Sequence, residues 1–128
     1  MAWTVPVAVA AFLLSASVAS AVDDGRSLSG QRLLRFCEGI EAGKPTGGGP
    51  ADSRCLGYFQ GVVDALESLQ ARGAVYCPPL ALTVKEIILF YKSEAKIFPD
   101  VLDAHASDLI TGMLIKIFPC SGDRGRGA

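Results

Sequence analysis

Four cysteines constrain the fold of this 128-residue chain more than any other feature. Stretches of 17, 21 and 42 residues separate consecutive members of the set, which are Cys37, Cys55, Cys77 and Cys120. Zinc sites usually present closely spaced pairs such as C-x-x-C, so this spacing argues against a metal site. An even number of cysteines in an exported chain is typical of disulfides, and we expect two bonds.

The amino-terminal segment indicates that the chain is exported. No charged side chain precedes Asp23, and residues 7–14 form an unbroken apolar block. Ala19-Ser20-Ala21 fits the small-x-small rule of signal peptidase, and cleavage after Ala19 is a second possibility. We therefore predict a signal peptide over residues 1–21 and a mature protein in the periplasm or secreted. The alternative is an uncleaved membrane anchor, for which the block is short against about 30 Å of hydrocarbon.

Apolar residues at helical spacing predict two helices in the first half of the mature chain. A short one covers about 31–39, and a longer one runs from a cap at Asp52 or Ser53 to about Gly73. The Gly- and Pro-rich stretch 42–50 between them predicts a flexible surface loop. Inside the longer helix, Gly57 and Gly61 lie four residues apart, and we expect another backbone to approach that side closely.

Two more helices follow. Thr83 and Glu86 form a capping box before a helix that fades near Lys96. Pro99 fits the first turn of a last helix, which Pro119 stops. No segment alternates convincingly with period two, so the predicted fold is all-α, a small disulfide-stapled bundle of about four helices over 31–120. The Gly- and Arg-rich end, 121–128, is predicted to be a disordered tail.

The order of the helices favours one of the three possible disulfide pairings. If short connections make neighbouring helices antiparallel, Cys37 and Cys55 lie at one end of the bundle. The third and fourth helices then return Cys120 to the opposite end, beside Cys77. This arrangement favours Cys37–Cys55 and Cys77–Cys120.

The sequence holds no recognisable catalytic set. Twelve basic and thirteen acidic residues leave no positive excess for nucleic acid. His105 is the single histidine, and we interpret it as a helix-surface or boundary residue. Asp64 lacks an evident partner base, and Tyr58 combines packing with a local hydrogen bond. We therefore expect no enzyme, no cofactor and no metal.

One stretch carries a family resemblance. Cys55-Leu56-Gly57-Tyr58-Phe59-Gln60-Gly61-Val62-Val63-Asp64-Ala65 resembles the C-x-G-Y-x-x-G-x-x-D-A signature of the Rap/Tai proteins, periplasmic immunity proteins against type VI secretion amidase effectors. The resemblance continues through Tyr76-Cys77-Pro78 and Phe98-Pro99 to Phe118-Pro119-Cys120. The chain departs from the family at Phe98, where a histidine is common, and in its Gly-rich loop. The signature positions are Gly57, Tyr58, Gly61, Asp64, Pro99 and Pro119.

The resemblance implies an exported, helical, disulfide-bonded inhibitor that sterically blocks a peptidoglycan amidase. Homodimerisation follows by the same analogy. The candidate contact regions are 97–100, with Ile97, Phe98 and Asp100, and 44–54. Ile97 and Phe98 have an alternative role as caps of the core. The competing functions are a periplasmic stress protein or holdase-type chaperone without a toxin partner, and a small hydrolase or ligand carrier.

Overall fold

The structure, a computed structural model, describes residues 27–70, 72–73 and 75–120. The predicted signal peptide and tail lie outside these ranges. The described helices are α1 (Gly30–Phe36), α2 (Pro50–Gln70), α3 (Val84–Ile97) and α4 (Ala106–Ile117), with a 3₁₀ helix at Pro99–Asp103. Within the described ranges the extended pairing is one isolated bridge between Ser29 and His105. The all-α, disulfide-stapled bundle predicted from the sequence is confirmed.

Side-chain caps fix the starts of two helices. The Ser29 hydroxyl accepts a hydrogen bond from the Arg32 N–H at 3.2 Å and begins α1. At α3 the Glu86 N–H donates to Thr83 Oγ1 at 3.2 Å, and the Thr83 N–H donates to Glu86 Oε2 at 2.7 Å. The predicted capping box is therefore confirmed.

α2 begins earlier than its predicted cap. Pro50 occupies the first turn, where its missing N–H costs nothing, so Asp52 lies inside the helix instead of capping it. Glycines from the preceding segment approach its carboxylate. A methyl group at Gly39 would lie 2.6 Å from Asp52 Oδ1, and one at Gly47 would lie 2.6 Å from Oδ2. The Gly-rich segment thus folds back over the first turn of α2.

The prediction of one continuous helix from Pro99 is wrong, because the helix is interrupted at Ala104 and His105. Both residues are extended, with ψ values of 167° and 130°. The Gly30 N–H donates to the Ala104 carbonyl at 2.9 Å, and the Ala106 N–H donates to the Leu28 carbonyl at 2.8 Å. Pairing with the chain that enters α1 therefore splits one expected helix into a 3₁₀ turn and α4.

The core lies where α1, α2, α3 and α4 meet. The Phe59 and Tyr91 rings pack edge to face, with centroids 5.4 Å apart. On α4, Ile110 and Leu114 are fully buried. Leu109 and Ile117 on the same helix are only half-buried. The buried apolar residues are Leu33, Cys37, Ile40, Cys55, Phe59, Leu66, Tyr76, Ile87, Ile88, Tyr91, Ala95, Leu102, Ala106, Ile110, Met113 and Leu114.

The two disulfides hold opposite ends of the bundle. Cys37 bonds to Cys55 and Cys77 bonds to Cys120, which is the pairing favoured by the helix order. Cys37 and Cys55 are fully buried, whereas Cys77 and Cys120 are half-buried. Among the described residues, no helix is long and apolar enough to cross a membrane.

Candidate functional site

An apolar corner projects where α3 passes into the 3₁₀ helix. Ile97, Phe98 and Val101 expose 64%, 47% and 48% of their surface. Pro99 opens the 3₁₀ helix, and its ring restricts the backbone at the turn. Asp100 is exposed on the same turn. The three candidate contact residues at 97–100 therefore lie at the surface, and Ile97 and Phe98 are too exposed to act only as caps of the core.

A groove runs beside this corner, between the second half of α3 and α4, and the 3₁₀ helix closes one end. We call it the α3–α4 groove. Its volume is about 250 Å³. Its lining is Tyr91, Glu94, Ala95, Phe98, Val101, Leu102, Asp108, Leu109, Gly112, Met113 and Lys116.

The charged groups of the groove are unevenly partnered. The Lys116 ammonium lies 3.3 Å from Glu94 Oε2 and 5.0 Å from the centre of the Phe98 ring. This lysine therefore already makes an ion pair and a cation–π contact. Asp108 is exposed in the first turn of α4, and no cation in the described part of the chain pairs with it. Counting the described residues alone, its carboxylate is the charged group of the groove lining that has no ion-pair partner.

The back of the groove is tightly packed. The buried Tyr91 hydroxyl donates to the Gly30 carbonyl at 2.6 Å, and burial raises the pKa of Tyr91 to about 12, with a smaller contribution from Tyr58. A methyl group on Gly30 would overlap Leu109 Cδ1 and would lie 3.1 Å from the Leu102 carbonyl oxygen. Leu109 and the Leu102 carbonyl would have to shift to admit such a methyl group, so the backbone at Gly30 packs closely behind the groove.

Three of the six signature residues lie on another surface. Gly57, Tyr58 and Gly61 line a broader, shallower depression between α2 and α4, which we call the signature face; the rest of its lining is Val62, Ala65, Leu66, Leu69, Ser107 and Thr111. A methyl group at Gly57 or Gly61 would meet nothing within 4 Å. The expectation that another backbone packs there is wrong, because the helix turns these glycines outward. Asp64 is also exposed.

The second candidate contact segment, 44–54, lies at the other end of α3. The Lys85 ammonium donates to the Lys44 carbonyl, which ties this segment to the first turn of α3. Ile97 ends the same helix, about 18 Å away at 1.5 Å per residue. The structure therefore separates the two candidate regions.

The remaining predicted residues do not assemble a reactive site. His105 is exposed at the amino end of α4 and makes no side-chain capping bond. Pro119 is exposed beside the Cys120 disulfide. No set of acidic, histidine or cysteine side chains in the described residues could hold a metal ion.

The sequence missed the groove because its walls come from distant segments. Asp108, Gly112 and Lys116 recur every four residues and form one face of α4, which by itself indicates a solvated surface. The local signal was Gly112, a glycine inside a helix where no packing among the described residues requires a glycine.

Fold and surface together define the class: a small, disulfide-stapled helical protein whose described surface carries exposed apolar side chains. The family model of the Rap1a immunity proteins matches residues 29–120, and the chain belongs to this family. The resemblance seen in the sequence is therefore confirmed. No curated protein and no solved structure gives a significant match.

Membership in an immunity-protein family indicates a non-enzymatic inhibitor that binds a secreted protein effector. The two disulfides are compatible with a periplasmic or secreted location.

Proposed function

We propose that the chain is a periplasmic immunity protein that binds a peptidoglycan amidase effector and blocks its active site sterically. The observation that carries the proposal is the apolar corner of Ile97, Phe98 and Val101, in a member of an immunity-protein family. Exposed apolar side chains at a rigid turn are suited to a protein interface, because little conformational freedom is lost when they bind.

The corner is the better of the two candidate contact regions. Segment 44–54 is mostly polar or small, and Lys44 is paired with Glu41 at 2.6 Å. Binding energy in protein interfaces is concentrated at a few well-packed positions, where aromatic and arginine side chains are enriched. Phe98 is an exposed aromatic residue with the exposed Ile97 beside it, whereas Arg54, the arginine of the other segment, already lies over the Phe36 ring at 5.4 Å.

The test is co-expression of the exported chain with a periplasmic amidase encoded beside it. The wild-type chain should protect the cells from lysis, and Ile97→Asp should abolish protection because it places a charge in an apolar contact. Leu80→Asp is the matched control, since Leu80 is fully exposed before α3, at the far end of that helix. Lysis despite the wild-type chain would contradict the immunity role, and protection by Ile97→Asp would contradict the contact surface.

The chaperone alternative gains no specific support. An acid-activated chaperone would need buried groups whose protonation opens the fold. No charged side chain is buried in the described part of the chain. The pKa of Glu86 is lowered by its capping bonds to Thr83, yet this carboxylate is fully exposed.

A further inference from the structure

We infer that the α3–α4 groove receives one arginine side chain, flanked by apolar residues, from the protein that this chain binds. The inference rests on the proposed function only in naming an amidase effector as the source of that arginine. Its evidence is the size, lining and charge of the groove.

The volume selects the kind of occupant. Pockets for cofactors and drug-sized molecules generally enclose about 300–1,000 Å³. The groove holds about 250 Å³, which suits a single large side chain better. Anchor side chains that enter such pockets are enriched in arginine, tryptophan and tyrosine.

The lining selects a cation with an apolar stem. Ala95, Leu102 and Met113 offer apolar surface along the floor, against which the methylene groups of an arginine would pack. Phe98 adds apolar surface at the edge, but Lys116 already lies over its ring at 5.0 Å, so the ring face is not open to a second cation.

The charge balance selects the position of the guanidinium. Two carboxylates line the groove. Glu94 is already paired with Lys116, which leaves the Asp108 carboxylate available in the described part of the chain. A planar guanidinium pairs with a carboxylate through two parallel hydrogen bonds, a geometry that lysine cannot match.

Gly112 keeps the groove open. It lies inside α4, where glycine lowers helix stability, and a methyl group there would meet nothing within 4 Å. A larger side chain at this position would therefore extend into the groove without disturbing the core. This makes Gly112→Leu a variant that blocks the groove and leaves the fold intact.

The test uses the tripeptide acetyl-leucyl-arginyl-leucine amide as the probe and amide chemical shifts of the full mature chain as the readout. We expect saturable shifts at Gly112 and Asp108, with a dissociation constant on the order of 1 mM, as for one anchor residue. The matched peptide carries citrulline, which has the shape of arginine without its charge, and should bind at least about fivefold more weakly.

Three variants locate the binding. Asp108→Asn should weaken binding of the arginine peptide by about fivefold, to the affinity of the citrulline peptide for the wild type. Gly112→Leu should abolish the shifts, and Gly57→Leu, the same change at an open helix glycine on the signature face, should leave them unchanged. Circular dichroism confirms that each variant is folded.

Equal binding of the two peptides, no response to Asp108→Asn, or no saturable shift up to about 20 mM would overturn the inference. The result is separable from the immunity test. If the purified chain binds the arginine peptide but does not protect cells from the amidase, the proposed function alone is refuted. Protection by a chain whose groove binds no arginine peptide refutes this inference alone.

Discussion

The α3–α4 groove and the signature face lie on the same bundle, but the signature face was recognised from the sequence, whereas the groove was found only in the structure. The signature face carries Gly57, Tyr58 and Gly61, the residues by which the family is recognised, and its lining holds no charged residue. The groove carries two carboxylates and a lysine against an aromatic ring, none of them a signature position. Gly57, Tyr58 and Gly61 thus lie apart from the groove, whereas the signature residue Pro99 lies in the chain between Phe98 and Val101, which line it.

The largest effect is expected from a substitution at Gly30, which tests how rigidly the chain packs behind the α3–α4 groove. Gly30→Ala should lower the free energy of unfolding by about 1–3 kcal/mol, because the new methyl group would overpack Leu109 and the Leu102 carbonyl. Urea denaturation measures the change. Stability equal to the wild type would mean that the wall yields, and the groove would then be deformable.

Removal of the Tyr91 hydroxyl should have the next largest effect. Tyr91→Phe leaves the buried Gly30 carbonyl without its 2.6 Å hydrogen bond and should cost about 1–2 kcal/mol at neutral pH.

The same residue predicts a pH dependence. Its pKa in the folded chain is about 12, against about 10 in an unfolded one, so its contribution is complete below pH 10 and is lost as the pH rises toward 12. Thermal unfolding between pH 8 and 12 should therefore show a smaller alkaline loss in Tyr91→Phe than in the wild type. Parallel curves for the two proteins would argue against a buried hydroxyl.

The signature face should respond in the opposite direction. Gly57→Ala replaces a helix glycine that faces open space and should raise the free energy of unfolding by about 1 kcal/mol. Thermal melting at low protein concentration measures the gain. A loss of stability that grows with protein concentration would show instead that a second chain covers this face.

The smallest effect concerns Lys116, which bridges the two walls of the groove. Lys116→Ala should lower stability by about 0.5 kcal/mol or less, since its ion pair with Glu94 is largely exposed. The difference from the wild type should shrink as salt is added. A salt-independent loss above this size would assign the lysine a packing role.

Local signals predicted the parts of the fold that depend on neighbours in the sequence. Thr83 and Glu86 are three residues apart, and their capping box is present in the structure. The order of the helices was sufficient to favour Cys37–Cys55, which the structure contains.

Long-range contacts explain what the sequence could not show. The break before α4 arises because Leu28 and Gly30 pair with residues more than 70 positions away, a contact that no local pattern encodes. The groove needs Phe98 on one wall and Asp108 on another, and each alone is an ordinary surface residue. The outward direction of Gly57 was missed for the same reason, because only the packing of α2 decides which side of the helix is buried.

The two disulfides join consecutive cysteines, and this order has a consequence for biogenesis. Cys37 meets its partner after 18 further residues and Cys77 meets its partner after 43, so neither bond requires an earlier one to be undone. In a chain that is oxidised from its amino end, each cysteine would therefore meet its native partner before any other unpaired cysteine, so that no misplaced bond would need a disulfide isomerase.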